Sequence, residues 1–435
     1  MFEAFQNIFR IPELKKRVLF SLGMLAVYRI GCHIPTPGID SLALAHFFKQ
    51  AQGTLLGLFD MFSGGALERL TVFALGIMPY ISSSIIFQLL TVVVPAVEKL
   101  SKEGEAGRKK IIQYTRYGTI LLSVVQALGI SIGLESMRGP AGELVVPNPG
   151  WEFRIMTVIT LTAGTAFIMW LGEQMSEKGI GNGISLIIFA GIVARIPVAL
   201  INTFRLLKAG QLSLFVVIFV FALMFLAVAA VVFVERGQRR VPIHYAKRVV
   251  GLKTYGAQTS HLPLKVNMAG VIPPIFASSI IMFPATIGNF INVPWVQQAA
   301  NSMAPGKLFY NIFYVAFIVF FCYFYTAVTF NPVDVADNVK KHGGYIPGIR
   351  PGKETSEYLD QVLTKLTFAG AIYISVICVL PSILIGKFNL PFYFGGTALL
   401  IAVGVGMDTV SQVESHLITR SYEGFMKGVK IKGRR

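Results

Sequence analysis

A chain of 435 residues that is 54% hydrophobic and only 14% charged lacks the makeup of a soluble globular protein, in which about a quarter of residues are charged. Its charge is lopsided, with 39 Lys and Arg against 22 Asp and Glu for a formal net +17, and its mean hydropathy is +0.63. Apolar runs of about 20 residues, with no alternating ten-residue segments, exclude a β-barrel and predict an all-α integral membrane protein.

In chain order, residues 1–17 form an amphipathic leader (FEAFQNIFRIPELKKR) without a small-residue cleavage pattern, expected to lie on the cytoplasmic side. Ten spans are predicted at 18–36, 72–95, 117–134, 155–172, 183–203, 212–234, 267–290, 309–330, 366–386 and 391–412. They divide into an N-terminal half, 18–205, and a C-terminal half, 206–412, followed by a basic tail, 413–435. Lys and Arg gather on alternate loops: six from Lys99 to Arg116, seven from Arg236 to Lys265, five from Lys340 to Lys365 and six from Arg420 to Arg435. The positive-inside rule then puts both termini and these loops in the cytoplasm.

Between spans 1 and 2, GLFDMFSGGALERL (57–70) is apolar, too short to cross and interrupted by Gly64 and Gly65. It reads as an interfacial or re-entrant segment, because irregular backbone at membrane depth survives only against protein or in a water-filled cavity. Span 2 contains GIMPYISSSIIFQ (76–88) and span 7 contains GVIPPIFASSIIM (270–282). At a constant offset of 194, Gly76, Pro79, Ile81, Ser84 and Ile86 match Gly270, Pro273, Ile275, Ser278 and Ile280. With five spans per half, the matched segments run in opposite directions, the mark of an inverted-topology repeat with a pathway at its interface.

The titratable residues narrow the function. Arg29, His33, Arg195 and Asp408 lie near span ends, and no Asp, Glu or Lys sits at a midplane position. That weakens an ion-coupled solute transporter, which usually needs buried ionisable groups. The six histidines lie at span edges or in loops, HExxH and GxxxxGK[ST] are absent, and Cys32, Cys322 and Cys378 are too scattered for a metal or redox motif. No catalytic residue, metal or cofactor is expected. What the spans do carry is isoleucine beside irregular backbone: Ile77 and Ile81 around Pro79, Ile184 and Ile188 after GIGNG, and Ile275 after Pro273 and Pro274. These side chains are stiff at χ1, and a ring of them makes a narrow apolar constriction that binds nothing specifically. The loops 235–266 and 331–365 are long, basic and rich in turns and aromatics, which suits docking of a cytoplasmic partner as well as contact with anionic lipid.

MFSGGALERLTVFALGIMPYISSSIIFQLL, KEGEAGRKKIIQYTRYGT, WLGEQMSEKGIGNGISLIIFAGIVA, FVERGQRRVPIHYAKR, HLPLKVNMAGVIPPIFASSII, GGYIPGIRPGKET and LPFYFGGTALLI, in this order, resemble the SecY family, the bacterial pore subunits of the general protein-secretion channel. The resemblance implies a central hourglass pore with Ile77, Ile81, Ile184, Ile188, Ile275 and Ile401 as its ring. It implies a plug at 57–70 that includes Leu58, Phe59, Met61, Phe62, Gly64 and Gly65. Spans 2 and 7 would flank a lateral gate carrying Pro79, Ser82, Ser83, Ser84, Gln88, Pro273, Ser278 and Ser279. Bonds from the span 2 serines and Gln88 to Ser278 and Ser279 are expected to hold the seam, and the two prolines to supply breaks within the helices. Arg239, Arg240, Lys247, Arg248 and Arg350 would dock the SecA ATPase or a translating ribosome, with ribosomal RNA within reach. The implied partners also include SecE, SecG and signal-sequence-bearing preproteins, and the implied location is the bacterial cytoplasmic (inner) membrane.

Overall fold

A computed structural model describes residues 11–40, 43–44, 60, 63–136, 144–210, 213–245, 248–250, 253–255, 259–290, 307–388 and 396–428. A helix coincides with each of the ten predicted spans: Pro12–Gly31, Met78–Val93, Glu105–Ser136, Trp151–Lys178, Gly183–Val193 with Ile196–Lys208, Leu214–Arg236, Ile272–Phe290, Leu308–Thr329, Lys353–Phe388 and Gly396–Gly428. Among the described residues seven stretches are each long and apolar enough to cross a membrane, and the helix of span 2 forms a further candidate with Pro95–Lys102, which is bent away by 98°.

The helix boundaries depart from the spans where hydropathy is blind to backbone. Span 1 begins at Pro12, inside the leader, because a proline in the first turn has no amide to leave unpaired. Spans 3, 9 and 10 run well past their apolar stretches into basic sequence, supported near their starts by pairs such as Lys109–Glu105 at 3.5 Å and Lys353–Glu357 at 3.7 Å. Span 5 is interrupted at Ala194 and Arg195, and its first part is capped by Asn182, whose side chain accepts from the amides of Ile184 and Ser185 at 3.1 and 3.4 Å.

Packing repeats with an offset of five. In the first half span 2 packs on 3, 3 on 4, 4 on 5 and 1 on 5; in the second, 7 packs on 8, 8 on 9, 9 on 10 and 6 on 10. The halves meet where span 2 packs on span 7 and where span 5 packs on span 10, with span 3 also against span 7. The pairs 2/7 and 5/10 each map onto themselves under the offset, so the pseudo-two-fold axis of the repeat passes between them. Glycine permits matching close contacts at the starts of spans 5 and 10. A Cβ on Gly183 would fall 2.1 Å from the Gly172 carbonyl of span 4, and one on Gly396 would fall 1.9 Å from the Ile377 carbonyl of span 9.

The two long basic loops contain strands. β1 (Gln238–Tyr245), β2 (Arg248–Val250), β3 (Lys253–Tyr255) and β4 (Thr259–Lys265) lie in the first loop, and β5 (Gly344–Tyr345) in the second. β1 pairs antiparallel with β4 from Gln238↔Lys265 to His244↔Thr259, and with β5 at His244↔Tyr345 and Tyr245↔Gly344. A separate core of Val241, Leu264, Ile346, Leu359 and Leu363 lies beneath this sheet.

Candidate pore, gate and docking surface

Span 2 is entered through a run of turns rather than a helix. Gly76 has φ +57° and Ile77 caps the helix, with Pro79 in its first turn. Span 7 repeats the device: Gly270 has φ +63°, the helix starts at Ile272, and Pro273 is in its first turn. The expectation that these prolines break their helices is therefore corrected. Both stand where a helix begins, and the missing amide costs nothing there. The serines and glutamine that follow are consequently the early turns of a helix, with the isoleucines immediately beside the irregular entry.

Ile77, Ile81, Ile188, Ile275 and Ile401 are between 0 and 8% exposed and belong to one continuous apolar cluster, against which the partly buried Ile184 packs. They come from spans 2, 5, 7 and 10, the four spans at the two seams between the halves. Ile401 stands five positions after Gly396, the spacing of Ile188 from Gly183, but sequence reading did not single it out on that ground. It came only from the family resemblance.

The expected polar seam takes another form. Ser83 Oγ donates to the Thr115 carbonyl of span 3 at 2.8 Å, and Gln88 Nε2 donates to Ser84 Oγ at 3.3 Å within span 2. Ser278 and Ser279 both donate to the Ile275 carbonyl of their own helix, at 2.9 and 2.8 Å. Among the described residues no hydrogen bond joins Ser82, Ser83, Ser84 or Gln88 to Ser278 or Ser279, so the expectation of cross-seam bonds is corrected. A hydroxyl one turn from a carbonyl of its own helix finds an acceptor without crossing an interface. The small side chains serve packing instead: a Cβ on Gly118 of span 3 would lie 2.5 Å from Ser83 Oγ.

Of the segment 57–70, Leu58, Phe59, Met61 and Phe62 lie outside the described residues. Asp60 and residues 63–70 form a folded strap. Gly64 and Gly65 adopt φ +68° and +88°, and Ser63 Oγ donates to the Asp60 carbonyl at 3.0 Å. Past it, Thr36 and Val72 amides donate to the Leu70 and Ile34 carbonyls at 2.9 and 3.0 Å, tying the chain to the end of span 1. Arg195 of the span 5 break is ion-paired with Asp60, and Arg29 Nη1 donates to the Gly64 carbonyl at 2.9 Å. Sequence reading had singled out both arginines as near span ends but had no sign of their partners.

Among the residues expected to dock a partner, Arg239 and Arg240 are exposed on β1, and Arg350 is exposed on the turn leading to span 9. That turn is held by its backbone, since the Arg350 amide donates to Glu354 Oε2 at 3.3 Å and its carbonyl accepts from Thr355 Oγ1 at 2.8 Å. Lys247 lies outside the described residues, as does the side chain of Arg248. Cys32, Cys322 and Cys378 are buried free thiols.

A family profile described as SecY matches residues 71–410. The chain is 53% identical over 427 residues to Protein translocase subunit SecY of Pseudomonas aeruginosa, covering 97% of this chain and 95% of that one. It is 52% identical to that of Escherichia coli K12 over 427 residues, covering 97% and 96%, and 47% identical to that of Aquifex aeolicus over 428 residues, covering 98% and 100%. Among solved structures, a protein conducting channel is similar with a TM-score of 0.66 at 17% identity, over 93% of each chain. Sec61 in a canine ribosome-channel complex is similar with a TM-score of 0.63 at 17% identity, again over 93% of each. The distant structures speak for the fold, and the near-full-length sequence matches speak for descent: this chain belongs to the SecY family.

Proposed function

We infer that this chain is the channel-forming subunit of a protein translocase. It passes unfolded preproteins across the bacterial cytoplasmic membrane and releases apolar segments sideways between spans 2 and 7, with both termini in the cytoplasm. The observation that carries the reading is the convergence of isoleucines from all four seam spans on one buried cluster at the axis of the internal repeat. Such a ring seals against water because opening it empty would expose each isoleucine, at roughly 1.5–3 kcal/mol per large apolar side chain. A polypeptide in transit replaces those contacts whatever its sequence, so the seal is selective for occupancy rather than for chemistry.

Residues 57–70 act as the plug on the outer side of the ring. A solved channel of similar fold has a plug domain described as stabilizing the closed state and maintaining a membrane seal. Arg239, Arg240, Lys247, Arg248 and Arg350 form a cytoplasmic docking surface for the SecA motor and the ribosome, and ribosome-bound neighbours such as canine Sec61 and yeast Ssh1 support the latter. SecE and SecG complete the complex, and anionic lipid attracts the basic loops. The motor or ribosome supplies the driving force, and the chain itself supplies passage.

The test is a crosslink in transit. With the native cysteines replaced and Ile275→Cys introduced, a precursor carrying one cysteine is stalled by a folded C-terminal domain. A disulfide whose position shifts with the stall point is the expected outcome. No adduct at any stall length, from a preparation that moves a small solute, would overturn the reading.

A further inference from the structure

The strap before span 2 is fixed at its two ends by different physics. From Leu67 onward it is anchored by apolar packing: Leu67, Leu70, Ala74 and Leu75 are buried in a cluster with Leu134 and Leu161 of spans 3 and 4. At Asp60, Ser63 and Gly64 the described links are polar. The Asp60 carboxylate pairs with Arg195, its other oxygen accepts from the Glu68 amide at 2.8 Å, and Glu68 Oε2 lies 3.5 Å from Arg195 Nη2. Arg29 adds its bond to the Gly64 carbonyl, and Tyr28 donates its hydroxyl to the Ser63 carbonyl at 3.3 Å. The backbone rests directly on span 5, where a Cβ on Gly64 would lie 2.8 Å from Gly191 Cα.

Asp60 is the exceptional member of this group, with a side chain only 5% exposed against 31% for Arg195. A carboxylate so far withdrawn from water is stable while its cation is present and costly without it. The apolar anchor has no such condition attached. Displacement of the strap's first residues with Leu67–Leu75 in place therefore requires one event above all, the parting of Asp60 from Arg195.

We propose that the Asp60–Arg195 ion pair is a charge latch that holds the start of the strap on span 5 and sets the threshold at which a polypeptide displaces it. The proposal rests on the reading of this segment as the channel's plug and names the residues that govern its release. Asp60 folds the strap through the Glu68 amide and binds it to span 5 through Arg195, so one carboxylate couples local folding to closure. Arg29 is a secondary link, since a bond to a neutral carbonyl is weaker than a charge-assisted pair. Arg195 is thus a positioning residue, acting through Asp60 on an element that closes the path.

The experiment uses the purified complex in proteoliposomes with the driving ATPase. It measures transport of a normal precursor, transport of one with a weakened signal sequence, and ion leak without precursor. Arg195→Gln is expected to raise weak-signal transport about tenfold, the change that about 1.4 kcal/mol makes in a two-state equilibrium, and to raise leak, while Arg195→Lys keeps the parent's selectivity. A second variant, Asp60→Cys with Arg195→Cys and the native cysteines replaced, is expected to lose transport on oxidation and regain it on reduction; it carries the test if Arg195→Gln does not accumulate. Normal-precursor transport with leak and weak-signal transport unchanged in Arg195→Gln, or undiminished transport through the oxidised tether, overturns the latch and leaves the channel reading standing. Failure of the unaltered complex to move the normal precursor overturns both.

Discussion

Gly118 and Ser83 decide how closely span 2 approaches span 3. Ser83 is 1% exposed, its hydroxyl is 2.8 Å from the Thr115 carbonyl, and a methyl on Gly118 would have to occupy a position 2.5 Å from that hydroxyl. Overpacking of this kind typically costs about 1–3 kcal/mol, and here the strain falls on span 2. Gly118→Ala is expected to lower the thermal midpoint of the detergent-solubilised complex. Adding Ser83→Gly should recover most of the loss, because the two changes meet at one contact; equal losses in the single and double variants would show that the clash lies elsewhere. Residues at this scale were unevenly legible. Ile77, Ile81, Ile184, Ile188 and Ile275 stood out beside glycine and proline, which punctuate local structure. Asp60 and Arg195 are 135 positions apart, with no periodicity to connect them, and their pairing appears only once the strap folds against span 5.

At the scale of elements, the two long basic loops form one unit. β5 from the second loop adds to β1 of the first, His244 and Tyr345 stack with centroids 6.0 Å apart, and Ile346 enters the core under Val241 and Leu264. Sequence reading found both loops by charge, length and turn content but gave no sign of their pairing, since β5 is only two residues long and no hydrophobic period could flag it. The same reading found a stretch that is helical at each of its ten spans, because a membrane span is a compositional signal, and missed where helices stop, because a helix continues through polar turns after the hydropathy has fallen. The unit gives Arg350 a rigid base. Exposed charges at such a rim act mainly on association rate and salt dependence. Arg350→Glu is therefore expected to abolish or strongly reduce motor-driven export while the variant still inserts normally in the membrane, with part of the loss recovered at higher motor concentration. Export at the parental rate would remove Arg350 from the docking surface.

At the scale of the whole molecule, the packing order assigns different tasks to the two seams. The turn into span 5 is joined to span 10 by a specific polar contact, the Gly181 amide donating to Gln412 Oε1 at 2.9 Å, in addition to the apolar cluster the two spans share. Across spans 2 and 7 the described side chains meet without a hydrogen bond between the serines of the two spans; Ser83 donates to span 3, and Ser278 and Ser279 donate to their own helix. Interhelical hydrogen bonds in membranes average only about 0.6 kcal/mol, yet a seam without them separates without leaving donors unpaired. The halves should therefore part at 2/7 and pivot at 5/10. With native cysteines replaced, one cysteine pair placed across spans 2 and 7 and another across spans 5 and 10 can each be joined by a cleavable bismaleimide. The 2/7 tether is expected to stop precursor transport until the linker is cleaved, whereas the 5/10 tether should leave most of it intact. Equal inhibition by both would mean that the halves separate as a whole rather than by opening on one side, and would relocate the hinge away from the Gly181–Gln412 contact.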